Sequence, residues 1–137
     1  MATATQTVRI GVIGVGRIGR MHADLLAREV PGAAVTAVQD AHDETAREIA
    51  GELGATALAS ADDVLASDVD AVAICTPTDT HTELVIAAAQ AGKAIFCEKP
   101  VSLDLAEVDR ALAAVKEAGV PFQIGFNRRF DPAHAAV

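Results

Sequence analysis

Apolar positions along the chain follow two alternating periods. Thr7–Ile13 (TVRIGVI), Ala33–Gln39 (AAVTAVQ), Ala71–Thr76 (AVAICT), Ala94–Cys97 (AIFC) and Pro121–Phe126 (PFQIGF) are short runs rich in β-branched residues. Such runs predict strands buried on both faces. Between them, Ala46, Ile49, Ala50 and Leu53, and later Leu105, Val108, Leu112 and Val115, recur at helical spacing. Each set makes one apolar stripe that can cover a sheet. Thr80 with Glu83 three residues on predicts a capping box, and Ser102 predicts a cap for the helix that contains Val108. Gly54, Gly92 and Gly119 fall where helices should stop. Alternating strands and helices with short connections imply an α/β fold, a doubly wound and mostly parallel sheet with right-handed crossovers, in a single domain. No linker, repeat or low-complexity segment interrupts the pattern.

The connection after the first strand carries the strongest local motif. Gly14-Val15-Gly16-Arg17-Ile18-Gly19 follows a predicted strand directly and opens a helix through Arg20, His22 and Leu25-Leu26. That context turns a bare G-x-G-x-x-G into a dinucleotide-binding signal. Gly14 permits the tight turn, Gly16 lets the backbone approach a pyrophosphate, and Gly19 lets helix and strand pack closely. The phosphates would rest on free helix N–H groups, helped by the helix dipole. Asp40 ends the second strand about twenty residues beyond the last glycine, where a carboxylate can accept hydrogen bonds from both adenosine ribose hydroxyls. A 2′-phosphate would meet like charge there, and no Arg or Lys stands at Ala41, His42 or Asp43 to offset it. NAD is therefore expected in preference to NADP.

In open α/β sheets ligands bind outside the carboxyl ends of the strands. Glu98-Lys99-Pro100, Thr76-Pro77-Thr78 and Asn127-Arg128 all stand at such ends. An isolated Glu98-Lys99 pair also fits a surface ion pair or a snorkelling lysine. Beside a nicotinamide, the same amine can hydrogen-bond a substrate hydroxyl, stabilise developing alkoxide character and pass on the proton.

Composition narrows the partners. The 137 residues, 51% hydrophobic, suffice for one domain with a real core. A net charge of −8 and basic residues in no run longer than Arg128-Arg129 argue against nucleic acid as a partner. No signal-like leader and no apolar stretch of membrane-spanning length are present in the sequence, so a soluble, cytoplasmic protein with no membrane partner is expected. Cys75 and Cys97 lie inside apolar runs, where a thiol behaves as a small buried hydrophobe, and two thiols alone cannot close a zinc site, so no metal is expected.

V-R-I-G-V-I-G-V-G-R-I-G near the N-terminus, Cys75-Thr76-Pro77-Thr78 with His81, F-C-E-K-P, and Q-I-G-F-N-R-R-F together resemble the Gfo/Idh/MocA oxidoreductases over essentially the whole chain. Within that family the resemblance to bacterial inositol 2-dehydrogenases is strongest. It implies a Rossmann domain over residues 1–126, with 127–137 as the start of a helix leading toward a second, substrate-binding domain. It implies that Lys99 is the catalytic lysine, standing on the substrate side. Glu98 and Pro100 would shape the cofactor site alongside Gly14, Gly16, Arg17 and Ile18. Thr76, Pro77 and His81 would line the NAD cleft, with Asn127 beside the nicotinamide and Arg128 toward the substrate. The implied substrate is a small-molecule polyol or sugar, oxidised at a ring secondary alcohol, and the implied full-length form is a homo-oligomer.

Family members of this kind continue into a domain with an Asp-x-x-x-His pair, whereas this sequence stops at Val137 inside Asp131-Pro132-Ala133-His134 and its neighbours. The expectation is a fragment or truncated product that keeps cofactor binding and lacks substantial turnover alone. Two other readings stay open on the sequence: a non-catalytic dinucleotide sensor, and another enzyme of the same fold class using S-adenosylmethionine. Lys99 argues against the first, and Gly19 with the E-K-P segment against the second.

Overall fold

The computed structural model describes residues 6–125. Six parallel strands form one sheet in the order β3-β2-β1-β4-β5-β6. They are β1 (Val8–Ile13), β2 (Ala33–Gln39), β3 (Thr56–Ala57), β4 (Ala71–Ile74), β5 (Ala94–Glu98) and β6 (Phe122–Gly125). Five helices connect them: α1 (Arg17–Arg28), α2 (Asp43–Leu53), α3 (Ala61–Ala66), α4 (His81–Gln90) and α5 (Leu105–Ala118). The expected doubly wound α/β architecture is present.

The strands read as apolar because both faces are covered. On one face Ile10, Val12, Val35, Val38 and Ala73 pack against Ala23 of α1 and Ile49 and Ala50 of α2. On the other, Ile13, Val72, Ile74, Ile95 and Cys97 pack against Val64 of α3, Val85 and Ala88 of α4 and Ala111 of α5. Strand order moves outward from β1 in both directions. Right-handed crossovers therefore place α1 and α2 on one face and α4 and α5 on the other. The register of β1 on β2 shifts after Ile10, which pairs with Val35 while Gly11 pairs with Ala37. Thr36 is the residue skipped, and its buried hydroxyl has no hydrogen-bond partner among the described residues.

Several local expectations need correction. β4 ends at Ile74, so Cys75 and Thr76 belong to the turn beyond it. β3 and α3 gave no strong period: β3 is two residues long, held by its pairing with Ala37 and Val38 of β2. Thr80 does not cap α4. It sits in a 3₁₀ turn over Thr78–Thr80 with helical φ/ψ of −98° and −10°, and its hydroxyl bonds the Pro77 carbonyl instead of a helix N–H. A side-chain N-cap needs an extended backbone at that residue. Ser102 does not cap α5 either. Asp104 does, accepting from the Ala106 N–H at 2.8 Å, while the Ser102 hydroxyl accepts from the Asp104 N–H. Leu105 and Leu112 of the expected α5 stripe face outward, and small Ala111 takes the core position. Gly54 and Gly119 end α2 and α5 in the left-handed conformation, as expected. Among the described residues, no helix is long and apolar enough to cross a membrane.

Candidate functional site

β1 delivers the chain into a turn that only small residues allow. Gly14 has φ +88°, and a Cβ there would meet the Cys75 carbonyl oxygen at 2.8 Å. A Cβ on Gly19 would collide with the Gly14 carbonyl, so α1 lies directly against the turn. Gly16 differs. Nothing in the protein lies within 4 Å of where its Cβ would be. It is the N-cap of α1, has extended φ/ψ, and offers no side chain to the helix N–H groups. The fold itself therefore gives no packing reason for glycine at position 16, and the first turn of α1 is left able to hold an anion.

Asp40, just beyond β2, forms the opposite wall. Its side chain is 14% exposed. One carboxylate oxygen accepts from the Val15 N–H at 2.9 Å, the other from the His42 N–H at 2.9 Å. Burial works to raise this carboxyl, but the hydrogen bonds from His42 and Val15 outweigh it and hold it below the usual value. The carboxylate thus fixes the glycine turn; Oδ2 retains a lone pair for a further donor, and Oδ1, which also meets the exposed His42 ring at 3.3 Å, regains one when that ring swings aside. A cavity of about 450 Å³ runs between these walls. Gly14, Gly16, Arg17, Ile18, Asp40, Thr76 and Pro77 line it, all of them expected from the sequence, and His42 and Cys75 join them.

Lys99 and its neighbours stand at the carboxyl end of β5, two strands from β1 in the sheet. Lys99 and Pro100 are exposed and their peptide bond is cis. Glu98 is half-buried, with one carboxylate oxygen accepting from the Lys99 N–H at 3.2 Å. Among the described residues the Lys99 amine has no polar partner, so Glu98 engages the lysine's backbone and leaves its Nζ available. The ion pair left open by the sequence does not form.

His81 needs relocating. It does not line the cleft: it is 1% exposed, behind it, with Nδ1 2.7 Å from the Pro100 carbonyl and Nε2 2.8 Å from the Thr76 carbonyl. Both partners only accept, so a doubly protonated ring serves both and a neutral ring serves one at a time. Its place is to tie the turn after β4 to the turn after β5. Asn127 and Arg128 lie outside the described residues.

The sequence reading passed over His22, treating it only as a helix residue. Its Nε2 stands 2.7 Å from Glu98 Oε1, and its ring meets Phe96 edge-on at 5.1 Å. The available signal was a polar ring one turn below Gly19 in a helix that packs on the sheet. Both thiols are free, Cys97 fully buried and Cys75 partly so. Burial, then the charge of Glu98, pushes each up to about 12.

Residues 8–126 match the family described as "Oxidoreductase family, NAD-binding Rossmann fold". The chain is 47% identical over 131 residues to inositol 2-dehydrogenase of Rhizobium meliloti, covering 96% of this chain and 39% of that protein. It is 46% identical over 130 residues to scyllo-inositol 2-dehydrogenase (NAD(+)) of Bacillus subtilis, covering 93% and 38%. The crystal structure of scyllo-inositol dehydrogenase from Lactobacillus casei with bound NAD(H) and scyllo-inositol superposes with a TM-score of 0.91. That match is 31% identical and covers 96% of this chain and 39% of that one. The chain thus spans about two-fifths of the length of the relatives it matches. With its glycine turn, Asp40 wall and parallel sheet, it belongs to the Gfo/Idh/MocA family and carries that family's NAD-binding Rossmann domain.

Proposed function

We propose that this chain is the cofactor-binding part of a cytoplasmic NAD-dependent dehydrogenase that oxidises a ring secondary alcohol of a polyol, with an inositol as substrate. The observation that carries the reading is Gly16, whose glycine serves no packing need of the protein while opening an uncapped helix N-terminus onto the cavity walled by Asp40. That is the space a pyrophosphate occupies in this fold. Asp40 would receive the ribose hydroxyls on its remaining lone pairs and repel a 2′-phosphate. The inositol dehydrogenase names of the relatives support the substrate class.

Bound NAD supplies the hydride acceptor. Around it, the Lys99 ammonium would donate a hydrogen bond to the substrate hydroxyl oxygen and stabilise the charge that develops there as the hydroxyl proton leaves to a base of the rest of a full-length protein. Glu98 holds the Lys99 backbone and His81 the Pro100 carbonyl, so the amine projects from a fixed turn. Asn127 and Arg128 would serve the nicotinamide and substrate sides. The rest of a full-length protein would complete the substrate pocket and form the homo-oligomer contacts, and the net charge of −8 on this chain argues against nucleic acid as its partner.

The chain has no Trp or Tyr, so NADH emission can be followed directly. Titration should show saturable NADH binding, competed by NAD and much more weakly by NADP. Equal competition by the two nucleotides would refute the role of Asp40. In a protein carrying the full length of the relatives, Lys99→Ala should lower kcat by about 10²-fold or more with NAD affinity preserved. Retained turnover would remove Lys99 from the mechanism.

A further inference from the structure

We propose that His22 is a positioning residue for Lys99, acting through the Glu98 carboxylate and so linking the helix that receives the cofactor phosphates to the turn that presents the amine. The inference rests on the reading of Lys99 given above.

His22 is the sixth residue of α1, about 7–8 Å along the helix axis from Arg17. A rigid helix thus separates the phosphate end from the His22 ring by a fixed length. The ring donates from Nε2 to Glu98 Oε1 at 2.7 Å, a charge-assisted distance. The other Glu98 oxygen accepts from the Lys99 N–H. With both oxygens held, the carboxylate cannot rotate without breaking a bond. The ring's own orientation is set by its edge-on contact with Phe96, the residue two before Glu98 on β5.

β6 contributes by what it lacks. A Cβ at Gly125 would meet Phe96 Cζ at 2.9 Å and Glu98 Oε1 at 3.2 Å. Three elements, α1, β5 and β6, therefore converge on this one carboxylate. His22 and Glu98 side chains are 22% and 21% exposed, which separates the contact from the exposed surface pairs of the chain, such as Arg28–Asp24. On the opposite face of the sheet, His81 holds the Pro100 carbonyl. Lys99 thus has an anchored residue on each side, one tied to α1 and one to α4.

The test reads Lys99 directly in the 137-residue chain. Lys93, Lys99 and Lys116 are the three lysines, so reductive ¹³C-methylation gives few signals, and Lys99→Arg identifies the one that matters. Saturating NAD should shift the Lys99 signal in the parent chain. His22→Ala should keep NAD affinity and lose most of that shift, and His22→Gln, which keeps a donor, should restore it. In a Glu98→Ala background, His22→Ala should change nothing further, since the effect runs through that carboxylate. A full NAD-induced shift in His22→Ala overturns the proposal even if the variant is less stable, as does a further loss of shift in the Glu98→Ala background. If NAD binds the parent chain and the Lys99 signal does not move, the reading of Lys99 itself fails and the proposal falls with it.

Discussion

At the scale of single residues, three glycines of one motif do separable work, and substitution to alanine should tell them apart. Gly19→Ala drives a methyl into the Gly14 carbonyl, and Gly14→Ala adds a strained left-handed backbone to a clash with Cys75. Both should destabilise the chain severely, because backbone on the far side cannot yield. Gly16→Ala meets open space at an extended φ/ψ. Its urea midpoint should stay within roughly 0.5 kcal/mol of the parent, as for a surface change away from any packed feature, while NADH affinity falls sharply. An unchanged NADH titration for Gly16→Ala would mean that the cavity is not where the cofactor sits. The thiols offer a second check at this scale. With Cys75 and Cys97 pushed up to about 12 by burial and the charge of Glu98, almost no thiolate exists at neutral pH. Iodoacetamide should label neither until the chain is unfolded, since the thiolate is the nucleophile.

At the scale of elements, α5 shows what a sequence reveals and where it misleads. Ser102 and Asp104 are both cap formers two positions apart, and only the backbone decides between them. Asp104→Ala should cost about 1 kcal/mol, the usual value of a lost side-chain cap. Ser102→Ala should cost less, because it orders only the approach to the cap. A larger loss from Ser102→Ala in urea unfolding would return the cap to that residue. The same helix shows why only half of its expected stripe holds, with Val108 and Val115 packed against the core and the leucines outside it. Leucine draws attention as a core former, yet Leu103 and Leu105 are 91% and 81% exposed while Ala111 is fully buried. Close packing of α4 and α5 on the sheet favours small residues there. Strands buried on both faces were legible because apolar β-branched runs have few other uses. β3 was not, because a two-residue strand carries no period and exists through its neighbour. Site legibility divides along the same line. Gly14 and Gly16 are recognisable from one continuous turn and Asp40 from its spacing to that turn, whereas Thr76 was legible from its place at a strand's carboxyl end and from the family resemblance. His22 and His81 act across 76 and 19 residues of separation, on Glu98 and Pro100, and only the folded chain brings them there.

For the whole molecule, titration should bracket stability from both sides, with different groups setting each limb. Asp70 links the halves of the sheet. Hydrogen bonds from the Arg9 side chain, then from the Arg9 N–H, hold it below the ordinary 3.8. Arg9 belongs to β1 and Asp70 precedes β4, so the contact sits at the seam where strand order turns from β2 to β4. Asp40 is lowered as well, by hydrogen bonds that overcome its burial. A carboxyl whose folded value lies below its unfolded one stabilises fully above the unfolded value. That stability is lost as pH falls from about 3.8 toward the lowered value. The thiols act in the opposite sense. Raised from 9.0 to about 12, they favour the folded state below pH 9, and the contribution drains away as pH climbs toward 12. Melting temperature against pH should therefore show a plateau between the limbs. Asp70→Asn and Asp40→Asn should each flatten the acid limb, and Cys97→Ser the alkaline one. Salt separates the two carboxylates. Asp70 is 43% exposed and faces a charged partner, so added salt should weaken its share. Asp40 leans chiefly on neutral backbone donors from His42 and Val15, with the His42 ring adding less, so most of its share should persist. An acid limb that disappears entirely in high salt would show that the cleft's carboxylate contributes nothing to stability, and that its hydrogen bonds do not hold the glycine turn in solution.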